Sequence, residues 1–228
     1  MINKCQDIKN LHNARKSKRL EQRFSGMTLY LTGANSPSTL ASRAIRNLFL
    51  DETDKFPGAS KKEASPVKLA RERTKTYPLN KKIYDNCTPT LKSGHIWEAK
   101  EAADVERHYF VPCPHCGEYI ELVFKQIVFP AAKTDPDGDD ELTNAERAEQ
   151  ALYFCQECGG AIEDVQKPGM LRRGEWRDVV RRIGAKQTPR TVAFWMNTLY
   201  SPFVTWSDIV REFLDSKDDP ESLQNFVN

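Results

Sequence analysis

The chain has 228 residues, and its 34 lysines and arginines stand against 32 aspartates and glutamates for a net charge of +2. That length admits one large domain or a core with a small added module, and so even a balance gives bulk electrostatics no hold on a polyanion. No run approaches the roughly 20 apolar residues of a membrane helix, and the opening Met1-Ile2-Asn3-Lys4 leads into no signal-peptide core, so a soluble cytoplasmic protein with no membrane partner is expected.

Residues 1–26 carry the basic run Arg15-Lys16-Ser17-Lys18-Arg19 with little apolar periodicity and read as a poorly ordered leader, with a phosphate-binding arm as the alternative. A strand is expected over 27–32, a turn at 33–35, and a short helix opened by Ser36-Pro37. Residues 46–50 are nearly all apolar, as suits a buried parallel strand, and they end in Asp51-Glu52. Leu48-Phe49-Leu50-Asp51-Glu52 has the form of a Walker B strand, whose Asp holds a magnesium shell and whose Glu orients the attacking water. The G-x-x-x-x-G-K-[ST] loop that should accompany it occurs nowhere in the 228 residues. Ser65-Pro66 caps a helix over 65–75, and 81–87 is the next strand. Alternation of strand and helix gives 27–108 an α/β reading: a partial P-loop, RecA-like parallel sheet.

From 109 the pattern changes to short strands, paired cysteines and the acidic stretch 135–141, and 109–175 reads as an inserted module. The acidic stretch lacks the glycine and closing glutamate of a calcium loop, so a solvated loop is expected. A return to the main core is expected over 176–228, with Thr205-Trp206-Ser207-Asp208 as a capping-box variant.

Cys113-Pro114-His115-Cys116-Gly117 and Cys155-Gln156-Glu157-Cys158-Gly159 are two C-x-x-C knuckles. Each turns two thiolates onto one ion, and the following glycine permits the tight backbone that aims amides at sulfur. Four thiolates close a tetrahedral zinc site with no open position, so Cys113, Cys116, Cys155 and Cys158 are expected to hold a structural Zn2+. A pair of redox motifs would call for a thioredoxin-like setting, which nothing here suggests. His115 reads as exposed, Cys5 and Cys87 as ordinary thiols, and His12, His95 and His108 as surface or packed residues. The tryptophans 97, 176, 195 and 206 read as core or interface residues.

Several blocks in family order resemble the large terminase subunit of the GpA type, found in lambda-like tailed phages. They are Gly33-Ala34-Asn35-Ser36-Pro37, Phe49-Leu50-Asp51-Glu52 with Asp54, Ser65-Pro66-Val67-Lys68-Leu69-Ala70 with Arg73-Thr74-Lys75-Thr76, and Thr88-Pro89-Thr90. Tyr109-Phe110-Val111-Pro112 with the first knuckle and Leu199-Tyr200-Ser201-Pro202-Phe203 continue them. The resemblance implies a motor that uses ATP to drive double-stranded DNA into a procapsid, working with a small terminase subunit and a portal, in a ring of copies, in the host cytoplasm. It assigns Asp51 to Mg2+ and ATP, Glu52 to water activation, and Thr88 and Thr90 to coupling phosphate loss to movement. The nuclease that cuts concatemers is expected beyond residue 228, and the chain alone is expected to be inactive. Within the strand before Thr88, Tyr84-Asp85-Asn86 puts polar groups where the family is apolar, which predicts unsatisfied groups in a buried strand. Cys87 replaces a small hydroxyl residue.

Two other readings compete. Asp51-Glu52-Thr53-Asp54 matches the D-E-x-D box of helicase-like ATPases. A non-enzymatic zinc-ribbon protein could bind nucleic acid through Arg172, Arg173, Arg177, Arg181 and Arg182, which otherwise read as a solvated helical face.

Overall fold

Gly26, at φ +82°, lets the chain reverse between β1 (Glu21–Phe24) and β2 (Met27–Tyr30), an antiparallel hairpin. The computed structural model describes residues 5–40, 42–58, 64–89, 91–132, 142–219 and 223. They fall into two compact units, Met1–Pro89 and Thr90–Asn228.

In the first unit, α1 (Gln6–Leu11) buries no residue. It is tied to the hairpin by backbone hydrogen bonds, Asn13 N to Arg23 O at 2.8 Å and Ser25 N to Leu11 O at 2.8 Å. Residues 5–26 are therefore built, not the loose leader their sequence suggests, because main-chain pairing holds them and apolar periodicity has no part in it. After α2 (Pro37–Leu40) come β3 (Asn47–Asp51), α3 (Pro66–Glu72) and β4 (Lys82–Asn86), and the two strands pair in parallel. Ser65 caps α3 by accepting from Lys68 N, with Pro66 at its first turn, as the sequence implies. Leu48, Leu50, Val67 and Ala70 form a small core against Leu40, Phe56 and Ile83. Strand β3 is buried on that face alone. On the other face Phe49, 66% exposed, stacks on Tyr84 with ring centroids 4.8 Å apart.

The second unit is built on β5 (Val105–Pro112), which follows α4 (His95–Glu101). Its neighbours are β6 (Tyr119–Glu121) and, later in the chain, β10 (Glu175–Arg181), both antiparallel, and β11 (Val192–Trp195), parallel. A second, three-stranded antiparallel sheet joins β7 (Ile127–Val128), β8 (Leu152–Phe154) and β9 (Ala161–Ile162). Helices α5 (Asn144–Glu149), α6 (Lys167–Arg172) and α7 (Trp206–Ser216) complete the unit. Thr205 and Asp208 form the expected capping box at the start of α7.

Trp206, Ile209, Val210 and Leu214 of α7 share one core with Val111, Ile120, Leu122, Tyr153, Ile162, Cys113 and Cys155. The cysteine segment and the residues after 176 thus pack together, and the boundary expected at 108 falls inside β5, the strand at the centre of the sheet. Arg177 and Arg181 lie on β10, an edge strand exposed along its whole length, where a helical face was expected. The stretch 135–141 and Thr90 lie outside the described residues.

Side-chain hydroxyls finish the main-chain pairing around β6. Tyr200 Oη accepts from Leu122 N at 2.8 Å and donates to Tyr109 O at 2.6 Å, while Asn197 Nδ2 donates to Leu122 O at 2.9 Å. On β5, Glu106 is 5% exposed and is met by His108 Nε2 at 3.0 Å, Lys100 Nζ at 3.0 Å and Arg182 Nη2 at 3.4 Å. Burial pushes its carboxyl up, but these three partners outweigh that and hold it below the ordinary glutamate value. No helix among the described residues is long and apolar enough to cross a membrane. The fold class is mixed α/β with small sheets.

Candidate functional site

Strand β3 delivers Asp51 to an exposed end, and the next residue, Glu52, turns the chain with φ 56° and ψ 48°. This is the only non-glycine residue with positive φ among the described residues, in a region that L side chains occupy at a steric penalty. The neighbouring end of β4 clasps the turn. Glu52 N donates to Asn86 O at 2.8 Å, and Asn86 Nδ2 donates to Asp51 Oδ1 at 3.0 Å. Thr53 Oγ1 donates to Asp85 Oδ1 at 2.8 Å, Arg71 Nη2 of α3 reaches Asp85 Oδ2 at 3.3 Å, and Asp54 N points at Cys87 Sγ at 3.4 Å. Lys55 Nζ lies 2.9 Å from Glu52 Oε2 as an ion pair off the line of a good hydrogen bond, the atom itself being shielded from solvent.

The unsatisfied polar groups expected at Asp85 and Asn86 are thus not found. Each has a partner on the turn after β3, so the polar strand end is matched to the acidic one. No role at this turn is expected from sequence for Asp85, Asn86 or Arg71, although two polar residues closing a strand beside a D-E turn were the available signal. Thr88 follows as an exposed residue whose carbonyl accepts from Cys87 Sγ at 3.2 Å. Burial pushes the Cys87 thiol up, which keeps it protonated and unreactive.

The four knuckle cysteines come together. Their sulfurs lie within 4.8 Å of one another, with Cys113 to Cys158 at 3.9 Å and Cys116 to Cys155 at 4.0 Å. Metal–sulfur bonds of about 2.3 Å in a tetrahedron place sulfurs about 3.8 Å apart, so the donor set fits a four-thiolate ion. The sheets explain the convergence, because one knuckle is the turn between β5 and β6 and the other the turn between β8 and β9. Both are built alike. Gly117 N donates to Cys113 O and Gly159 N to Cys155 O, each at 3.0 Å, with φ of +79° and +68° at the two glycines. His115 N and Glu157 N each point at the first sulfur of their own knuckle at 3.4 Å.

The His115 ring is not a ligand, since its Nε2 lies 2.7 Å from Ala161 O across the site. It passes so close to Gly160 that a Cβ there would stand 2.8 Å from its Cδ2. The amide of Glu118 lowers the Cys116 thiol, but desolvation and the other three sulfurs outweigh it and push it up to about 12. A divalent cation reverses that balance by neutralising the crowded thiolates.

Geometry therefore defines a mixed α/β protein with an acidic strand end in one unit and, in the other, a four-cysteine cluster whose spacing fits a metal ion. The family model described as phage terminase large subunit gpA, ATPase domain, matches residues 1–176, and the one described as terminase large subunit gpA, endonuclease domain, matches 191–228. Among curated proteins, the chain is 28% identical to the large terminase subunit of Enterobacteria phage P21, across 92% of this chain and 33% of that one. It is 25% identical to the large terminase subunit of Escherichia phage lambda, across 91% of this chain and 33% of that one. No solved structure matches. The chain belongs to the phage terminase large subunit gpA family, and it spans about a third of the length of the curated relatives it matches. These matches favour neither the helicase-like nor the zinc-ribbon reading. The second match also corrects the expectation that similarity to the nuclease starts beyond residue 228, since it begins at 191, just ahead of β11.

Proposed function

We propose that this chain is part of the large subunit of a phage DNA-packaging motor, which in its full form couples ATP hydrolysis to the movement of double-stranded DNA into a procapsid. The observation that carries the reading is the Asp51-Glu52 turn at the end of a parallel strand, within the residues matched to an ATPase domain. On this reading β3, α3 and β4 are a piece of a P-loop, RecA-like sheet, and the cysteine module is a zinc-ribbon-like insertion.

Asp51 would hold the water shell of Mg2+, and Glu52 would orient the attacking water. The ion, when bound with ATP, supplies charge neutralisation at the transferred phosphoryl group. Asn86 fixes the rotamer of Asp51 through its amide, and Lys55 restrains the Glu52 carboxylate. Thr88 and Thr90, next along the chain from that clasp, would pass loss of phosphate to the rest of the motor. Cys113, Cys116, Cys155 and Cys158 would hold Zn2+ as a structural cross-link with no open coordination position. The small terminase subunit, a portal and further copies in a ring are the partners this role requires, in the host cytoplasm.

The test is a graft of residues 1–176 in place of the matching segment of the phage P21 subunit, assayed for DNA packaging. Packaging that is lost with Glu52→Gln and with Asp51→Asn supports the reading. Packaging that survives both substitutions ends it.

A further inference from the structure

We propose that α1 and the β1–β2 hairpin form a cleft that binds the phosphate backbone of duplex DNA, an inference that rests on the motor reading and locates its DNA contact. An open cleft of about 830 Å³ lies between residues 10–16 and 23–28, and His12, Arg15, Lys16 and Arg23 are among its lining. Lys9, Arg15, Lys16 and Arg19 are all exposed, and none of them forms an ion pair among the described residues, while Lys18, also exposed, acts on the Glu21 carboxylate through space. Residues 5–30 include only two acids, Asp7 and Glu21, and Glu21 is already engaged by Arg23 at 2.6 Å and Arg43 at 3.5 Å. In the second unit, arginines 107, 177, 181 and 182 each reach a carboxylate, and Arg177 also lies over Tyr119 at 4.5 Å.

A row of uncompensated cations raises the local potential, and it falls when they meet a polyanion that releases its own counterions. The frame beneath the cations is fixed in advance. His12 Nε2 lies 3.0 Å from both Ser17 Oγ and Gln22 Oε1, and Ser17 Oγ accepts from Arg23 N at 3.0 Å. Binding then orders side chains alone, which keeps its entropic penalty small. Single-stranded nucleic acid is recognised by stacking on open aromatic faces. The one ring in the cleft lining besides His12 is Phe24, and it packs on His12 with centroids 5.2 Å apart. Phosphates of a duplex, not unstacked bases, match what this surface offers.

Fluorescence anisotropy of a short mixed-sequence duplex, titrated with the full 228-residue chain from about 50 to about 200 mM KCl, tests this. Lys16→Glu with Arg19→Glu should weaken binding about ten-fold or more at the lowest salt. Arg15→Gln and Lys16→Gln should each lower the salt slope by about 0.9 for every phosphate contact removed. Arg177→Glu with Arg181→Glu, at arginines already paired with Glu175 and Asp178, should change affinity less than about two-fold, and circular dichroism checks that every variant is folded. Unchanged slopes in the Arg15 and Lys16 variants, tighter binding to a single strand or to heparin, or no duplex binding at all overturns the proposal. None of these outcomes touches the graft result, so the motor reading stands or falls separately.

Discussion

Glu52 combines a carboxylate with a backbone conformation that suits glycine, at a penalty of about 1 to 2 kcal/mol for an L residue. Glu52→Gly should therefore raise the stability of the first unit by about 1 kcal/mol, seen as a higher urea midpoint by far-UV circular dichroism, while Glu52→Gln leaves it unchanged. An unmoved midpoint for the glycine variant would show that the turn holds no strain. Tyr200 is the opposite case, a residue of the Leu199-Tyr200-Ser201-Pro202-Phe203 block whose role is structural. Tyr200→Phe removes the partner of the Leu122 amide and one partner of the Tyr109 carbonyl, and should destabilise the second unit by about 2 kcal/mol in denaturant titration. Its hydroxyl was not legible in the sequence, because the backbone it satisfies lies about 80 residues earlier. At Glu106 the folded carboxyl titrates below its ordinary value of 4.5, so its contribution is complete above about that pH and is lost as pH falls through the depressed folded value. Glu106→Gln should flatten the acid limb of second-unit stability and lower the plateau at neutral pH. An acid limb as steep as the parent's would remove Glu106 from that account.

The two knuckles show what an element can declare from sequence alone. C-x-x-C followed by glycine is a local geometry, and local geometry survives whatever the rest of the fold does. Convergence was inferred from count and spacing, and the hairpin turns supply its mechanism. We expect one zinc ion per chain by elemental analysis. Cys155→Ala, which removes a buried ligand, should drop the content well below one and abolish the near-ultraviolet dichroism of the second unit. A chelator should do the same to the parent chain, and full dichroism in metal-free protein would dismiss the structural role. Strands β3 and β4 were legible within a residue or two, as were the caps of α3 and α7. In the first hairpin β2 was legible too, but α1 and β1 were not, since α1 buries nothing and so leaves no apolar stripe. Strand β10 misled for a related reason. Arg173, Arg177 and Arg181 recur every four residues, which imitates a helix face, and an edge strand exposed on both sides shows no alternation to correct the impression.

The described residues hold two cores that were not separable from periodicity. Composition suggests divisions at 26, 108 and 175, whereas contacts divide the chain once, at Pro89. Composition follows the cysteines, whereas packing follows β5, which carries the charged cluster around Glu106 on one side of the change and leads into the first knuckle on the other. The acidic turn was legible because an apolar run ending in Asp-Glu is a local signal, while the clasp from Asp85 and Asn86 needed β4 laid beside β3 in known register. With no G-x-x-x-x-G-K-[ST] in its 228 residues, the purified chain should show no magnesium-dependent release of phosphate from ATP. Release that disappears with Glu52→Gln would mean that a nucleotide is cradled without that loop.

The four indoles at positions 97, 176, 195 and 206 all belong to the unit with the four-cysteine cluster. Intrinsic emission is in consequence a private channel for that half of the molecule. A melt recorded at tryptophan wavelengths will report the unfolding of that unit, since the unit that holds Asp51 carries no indole of its own.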